Sequence, residues 1–435
     1  MKTTTRNVLL GAGAAALAGV LALFGATRWS DTHAGAQPQA GRGDAAAIAR
    51  GAYLARLGDC AACHSVAGQP AFAGGLRMET PIGAIYTSNI TPDRRYGIGN
   101  YTLADFDRAL RYGVAGGHTL YPAMPYSAYS RTTPEDVAAL YAYFMRGVQP
   151  AAVPERDNEI PFPLSMRWPL TVWRWVFAPT PQPFALDTGD AVLRRGAYIV
   201  EGLGHCGDCH TPRGPGLQVR ALAAADGPAF LSGALIDGWH APSLRNGDRT
   251  TIGAWSEQQI AEFLRTGSNV HGMAFASMNE VVANSTQYVT ADDALAVARY
   301  LKSLKDDGPG AGAFAYDPAT STALRKGDAG ARGALLYLDN CAACHRPDGK
   351  GYAGVFPALA GNPAVVAAQP DSVVRIVLAG MQTARTAATP AQFTMPSFAE
   401  RLSDEEVADI ASFVRASWGN RAAPVAARDV ARLRR

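Results

Sequence analysis

The chain has 435 residues, which at about 150 residues per domain accommodates about three domains. Its 48% apolar and 18% charged residues exclude a disordered chain. Lys and Arg number 40 against 37 Asp and Glu, a net charge of +3, which excludes a protein built to grip nucleic acid or an acidic polymer.

At the N-terminus, Lys2 and Arg6 precede an apolar run, Val8–Ala26, and small residues follow at Ala34-Gly35-Ala36. That layout predicts an export signal over residues 1–36, cleaved after Ala36. The run is 19 residues, so an uncut N-terminal anchor is the alternative. Either way the bulk of the chain lies outside the cytoplasm.

Three similar stretches follow. Arg50-Gly-Ala-Tyr53 leads to Cys60-Ala-Ala-Cys63-His64, Arg195-Gly-Ala-Tyr198 to Cys206-Gly-Asp-Cys209-His210, and Arg332-Gly-Ala-Leu335 to Cys341-Ala-Ala-Cys344-His345. Each ends on a helix N-cap with an acid at N3: Thr133 with Asp136, Thr290 with Asp293, and Ser403 with Glu406. Seven residues after each acid stands an aromatic, Tyr143, Tyr300 or Phe413. The pattern predicts an opening helix, a loop-rich middle and a closing amphipathic helix. Gly51, Gly196 and Gly333 would let the two helices approach closely, with the aromatic packed across. The units are residues 44–150, 188–306 and 321–420, each predicted to be one domain.

Cys-x-x-Cys-His is the covalent attachment signature of c-type haem. Two thiols three residues apart on a helical turn can form thioethers to the vinyl groups of one porphyrin, and the adjacent histidine is placed against the iron. All six cysteines of the chain fall in these motifs, so no disulfide framework is expected. Zinc would require four ligands per ion, which three Cys-Cys-His sets do not supply naturally. A thioredoxin-like pair has no use for the trailing histidine. Three haems are therefore predicted, attached at Cys60, Cys63, Cys206, Cys209, Cys341 and Cys344, with His64, His210 and His345 as iron ligands.

Methionine is the usual sixth ligand of electron-transfer cytochromes. Met124 lies between two prolines in Tyr121-Pro-Ala-Met-Pro125, and Met395 in Phe393-Thr-Met-Pro396, with Met381 its rival. The middle unit offers Met273 and Met278; the aromatic three residues before Met278 favours it. His118, His205, His240 and His271 are not expected to bind iron.

Between units, residues 151–187 are rich in proline and hold Trp168, Trp173 and Trp175, so this linker is expected to pack, on its own domains or on a partner or membrane. Residues 307–320 form a second linker. The tail, 421–435, is basic and reads as a solvated end or an attachment to anionic lipid.

With these residues in place, the chain resembles the triheme cytochrome c subunits of bacterial membrane-bound dehydrogenases oxidising alcohols, sugars and gluconate. The resemblance covers residues 44–420 and includes Ser88-Asn-Ile-Thr-Pro-Asp93, Gly97-Ile-Gly-Asn100, Tyr121-Pro-Ala-Met-Pro-Tyr126, Gly238-Trp-His-Ala-Pro242 and Met395-Pro-Ser-Phe398. It implies an all-α fold of three tandem class I cytochrome c domains with long loops. It also implies a catalytic partner subunit carrying FAD or pyrroloquinoline quinone, with or without a small third subunit. Electrons would pass through the haems to ubiquinone or a terminal oxidase, on the periplasmic side of the cytoplasmic membrane. Alternatives are the cytochrome subunit of a molybdenum hydroxylase, a freestanding multihaem carrier, or a peroxidase. The chain has no Gly-rich dinucleotide fingerprint, so no residue of its own is expected to act on the substrate.

Overall fold

The computed structural model describes residues 2–35, 44–182, 184–247, 251–306 and 314–434. The expected cleavage point at Ala36 and half of the 307–320 linker lie outside them. The chain forms two compact units, Met1–Ala55 with Cys63–Ala185, and Arg56–Ala62 with Leu186–Arg435. The second unit therefore holds the middle and last of the three stretches together.

Each stretch has the same frame. The opening helices are Ala45–Leu57, Ala191–Glu201 and Arg332–Asn340, and the closing helices are Pro134–Arg146, Ala291–Ser303 and Asp404–Ala416. Each closing helix starts as its sequence dictates. The Thr133, Thr290 and Ser403 side chains accept from the backbone N–H of Asp136, Asp293 and Glu406, each cap contributing about 1 kcal/mol.

Where opening and closing helices cross, glycine is required. A Cβ at Gly51, Gly196 or Gly333 would overlap the carbonyl oxygen of Ala139, Ala296 or Asp409. The same Cβ would stand 2.7, 2.8 or 3.0 Å from the Cβ of Tyr143, Tyr300 or Phe413, the three aromatics expected there. The arginine before each glycine pairs with the closing helix's N3 acid: Arg50 with Asp136, Arg195 with Asp293 at 2.7 Å, and Arg332 with Glu406 at 3.3 Å. Asp136 is buried, so its arginine offsets a desolvation cost that an exposed pair would not carry.

The middles are not purely loops. Short antiparallel hairpins stiffen them: Arg77–Thr80 with Gly83–Tyr86, Val114–Ala115 with His118–Thr119, Ala234–Ile236 with Trp239–Ala241, Ser268–Asn269 with Gly272–Met273, and Met381–Gln382 with Thr394–Met395. The chain is thus helix-rich rather than all-α. Backbone groups that leave a helix near a buried site need partners, and a two-strand ladder supplies them.

The proline-rich linker winds on the first unit. Tyr86 N–H donates to Asn158 Oδ1 at 2.8 Å, and Arg77 pairs with Glu159 at 2.8 Å. Its helix, Trp168–Phe177, turns Trp173 inward against Tyr126 and leaves Trp175 and Val176 exposed, with Phe162 and Leu164 upstream. In the same unit the helix Lys2–His33 ends on a buried Asp31, which pairs with Arg174 at 3.0 Å and accepts from Thr119 and Thr171. In the apolar Val8–Ala26 run, the side chains of residues 8–14 and of Ala16 lie outside the described residues. Among the described residues, no helix is long and apolar enough to cross a membrane.

The basic tail is not a solvated end. Residues Ala427–Leu433 form a helix that buries Val430 and Leu433. Arg432 pairs with Asp371 at 3.1 Å and Arg434 with Asp404 at 2.6 Å, so these two charges are spent inside the unit.

Candidate haem sites

In each Cys-x-x-Cys-His motif the histidine sits at the end of a short helical turn, Cys60–His64, Gly207–His210 or Ala342–His345. Each imidazole Nδ1 donates to a backbone carbonyl: His64 to Ser88 at 2.8 Å, His210 to Pro242 at 2.7 Å, and His345 to Pro357 at 2.9 Å. A carbonyl can only accept, so Nδ1 carries the proton and Nε2 keeps its lone pair. Burial lowers all three histidines below the usual imidazole range, which holds them neutral. A neutral imidazole fixed through Nδ1 is what a metal ligated at Nε2 requires. The chain then turns back in the same way each time. Gly74, Gly233 and Gly351 donate N–H to the carbonyls of His64, His210 and His345 at 2.8, 2.8 and 3.1 Å.

The acceptor carbonyls explain two of the sequence motifs. Ser88 opens Ser-Asn-Ile-Thr-Pro-Asp, and the buried Asn89 beside it fixes the loop. Asn89 donates to the carbonyls of Ala151 and Val153 and accepts from Thr91 N–H and Oγ1. Pro242 closes Gly-Trp-His-Ala-Pro. Pro357 carries no motif, and sequence reasoning passed over it.

None of the six cysteines is paired in a disulfide. Burial pushes the Cys206 and Cys341 thiols up to about 12, so in the folded chain they stay protonated. Among the described residues no three His, Cys, Asp or Glu side chains converge to hold an ion, which leaves a zinc site without its ligand set. Beside each cysteine pair a buried side-chain oxygen lacks a hydrogen-bond partner: Asp59 Oδ1, Asp208 Oδ2 and Asn340 Oδ1. Paired thiols, a neutral imidazole with Nε2 available and an unmet polar atom fit a covalently bound haem.

The methionines separate by register. After the helix Leu103–Tyr112, Gly113 takes a left-handed turn and its carbonyl accepts from Leu120 N–H at 2.7 Å. After Glu257–Thr266, Gly267 does the same with Ala274 at 2.7 Å. Met124 and Met278 each stand 11 residues beyond their glycine, in turns closed to Tyr121 at 3.1 Å and Phe275 at 3.2 Å. Met273 pairs with Ser268 on the hairpin strand, the place that Thr119 holds in the first stretch. In the last stretch Met395 is itself on the strand, opposite Met381, and packs on the apolar core around Tyr337 and Phe413.

Three of the other histidine rings have partners away from the motifs. His118 Nδ1 meets Arg28 at 3.1 Å, His205 Nδ1 meets the Leu203 carbonyl at 2.8 Å, and His271 stacks on Trp255 with ring centroids 5.3 Å apart. At His240 it is the backbone N–H that donates to Ser372 Oγ.

A family model described as cytochrome c matches residues 330–418. The cytochrome c subunit of a quinone alcohol dehydrogenase from Gluconacetobacter polyoxogenes is 51% identical over 396 residues, 90% of this chain and 85% of that one. The gluconate 2-dehydrogenase cytochrome c subunit of Pantoea cypripedii is 51% identical over 90% of each chain. The fructose dehydrogenase cytochrome subunit of Gluconobacter japonicus is 39% identical over 89% of this chain and 82% of that one. With haem c as the group its motifs are built to hold, the chain belongs to the family of cytochrome c subunits of bacterial dehydrogenase complexes, which are electron-transfer proteins.

Proposed function

We propose that the chain carries three haems in three tandem cytochrome c domains, residues 44–150, 188–306 and 321–420. Cys60 and Cys63, Cys206 and Cys209, and Cys341 and Cys344 would form the thioethers. His64 with Met124, His210 with Met278, and His345 with Met395 would ligate the irons. The observation that carries this reading is the threefold recurrence of an Nδ1–carbonyl bond at the motif histidine.

Bound haem supplies one-electron chemistry at a potential that methionine ligation raises. The chain's own residues do the rest. The three carbonyls fix the imidazole tautomer, burial keeps the imidazoles neutral, and Met124, Met278 and Met395 would hold the irons with them, so that no coordination position would remain for a substrate. Electrons would come from a partner dehydrogenase subunit with FAD or pyrroloquinoline quinone, oxidising an alcohol, sugar or sugar acid. They would leave to ubiquinone or a terminal oxidase on the periplasmic side of the membrane. Exposed Phe162, Leu164, Trp175 and Val176 suit peripheral contact at the headgroup level.

A pyridine haemochrome assay on acid-acetone-washed protein tests this. Three haems per polypeptide is the expected result; two, or haem lost to the wash, overturns it. Co-purification with a flavoprotein or quinoprotein subunit tests the partner.

A further inference from the structure

Within the second compact unit, both flanks of the middle candidate site meet one stretch of the last domain. On the His210 flank, the strand Trp239–Ala241 leads into Pro242, whose carbonyl accepts from His210 Nδ1. That strand is held from outside. His240 N–H donates to Ser372 Oγ at 2.9 Å, and the Arg375 guanidinium lies over the Trp239 ring, 5.8 Å from its centroid. Gly238, at φ +78°, makes room for that guanidinium, which a Cβ would strike. Ser372 and Arg375 belong to the helix Asp371–Ala379, and Ser372 is fully buried.

On the Met278 flank, Asn279 Nδ2 donates to the Gln382 carbonyl at 2.7 Å. Gln382 lies on the strand Met381–Gln382, which Gly380 alone separates from the same helix. The two flanks also touch each other, with the Trp239 and Phe275 ring centroids 5.8 Å apart. The continuous stretch Asp371–Gln382 thus grips both ends of the middle ligand set. Its last strand pairs, Met381 against Met395, with the strand that presents the third methionine.

We propose that Asp371–Gln382 is a positioning clamp shared by the second and third haem sites, so that the two potentials are set jointly. This rests on the haem assignments proposed above. Ser372 and Gln382 touch no iron ligand. Ser372 acts through the His240–Pro242 backbone on the Nδ1 acceptor, and the Gln382 carbonyl acts through Asn279 on the turn holding Met278. Such outer partners tune a metal by orienting its ligands.

The test uses the full-length holoprotein and its Ser372→Ala, Ser372→Thr and Asn279→Ala variants, read by spectroelectrochemical titration and by the methionine–iron charge-transfer band. Ser372→Ala, a change in the last domain, is expected to shift the midpoint of the second haem and leave the first unchanged. Ser372→Thr keeps the hydroxyl and is expected to restore it. Asn279→Ala is expected to weaken the second haem's methionine band and to move the third midpoint with it. A Ser372→Ala protein whose second midpoint is unmoved, or an Asn279→Ala protein altered at the second haem alone, overturns the clamp. Haem content reads the underlying assignment separately. Fewer than three covalent haems removes that assignment and the clamp with it, whereas three haems with an unmoved second midpoint remove the clamp alone.

Discussion

The first two methionine loops and the third are built differently on the same helical frame. Met124 stands in a turn and Met278 in the first turn of the helix Ser277–Asn284, both after a completed hairpin and each with its N–H bonded to an aromatic residue three positions back. Met395 stands within the hairpin, and its backbone is fixed by the cross-strand pair with Met381. A turn needs only local backbone bonds, whereas a strand position depends on its partner strand and on the core beneath. The helix pair is common to all three stretches; the loop between its helices is free to vary.

That contrast can be broken at its shared part first. Gly196→Ala and Gly333→Ala place a methyl group on a backbone carbonyl that cannot move, and each is expected to cost about 3 kcal/mol or more. Thermal melts of the haem-loaded protein check this. A variant that melts with wild type would mean that the helices can separate freely.

Next come the loops themselves. Met278→Ala is expected to open one haem to carbon monoxide, while Met273→Ala, on the strand, leaves all haems low-spin. In the last stretch both strand positions matter. Met395→Ala opens the third haem, and Met381→Ala, which removes the half-buried partner, costs about 1 kcal/mol and weakens the methionine band. Carbon monoxide difference spectra separate these outcomes; an opened haem in Met273→Ala would reverse the assignment.

An effect on one haem alone is expected at the proximal side. Asn89→Ala removes four hydrogen bonds around the Ser88 loop and leaves buried carbonyls unmet, a loss of about 2 kcal/mol. The shift in midpoint should be confined to the haem ligated by His64. Movement of all three midpoints would contradict a local role.

The smallest effect is in pH dependence. Burial, with the Glu280 charge adding, pushes the Asp59 carboxyl up to about 8. The folded chain favours the protonated form. Its contribution is therefore full below the ordinary carboxylate range and is lost as pH rises through about 8. Melting temperature should fall from about pH 4 to about pH 8 and level off above that, and Asp59→Asn should flatten that slope. An equal slope in both proteins would place the titration elsewhere.

What the sequence made legible was local. The haem motifs, the three caps and the glycine–aromatic crossing all follow from residues whose spacing or lack of a side chain has one physical meaning. The Nδ1 acceptors were hidden because they are backbone carbonyls, 24, 32 and 12 residues from their histidines, and a carbonyl has no residue type. The hairpins are too short to carry an alternating pattern. The tail misled because its arginines resemble solvated charge. Their partners, Asp371 and Asp404, start helices earlier in the same stretch, and only Val430 and Leu433 hinted at a packed face.

The thiols bear on assembly. Thioether formation needs a reactive sulfur, and in the closed fold burial pushes Cys206 and Cys341 up to about 12, far from thiolate. The attachment sequence, in contrast, is complete within five residues such as Cys60–His64 and needs no distant part of the chain. Closing the glycine crossing joins residues from opposite ends of a stretch, a slow search because loop closure comes before its reward. The local motif can therefore meet haem before the distant helices of its stretch have closed. A chain folded before haem is supplied is expected to load less haem at Cys206 and Cys341 than one folded in its presence, read by covalent haem content.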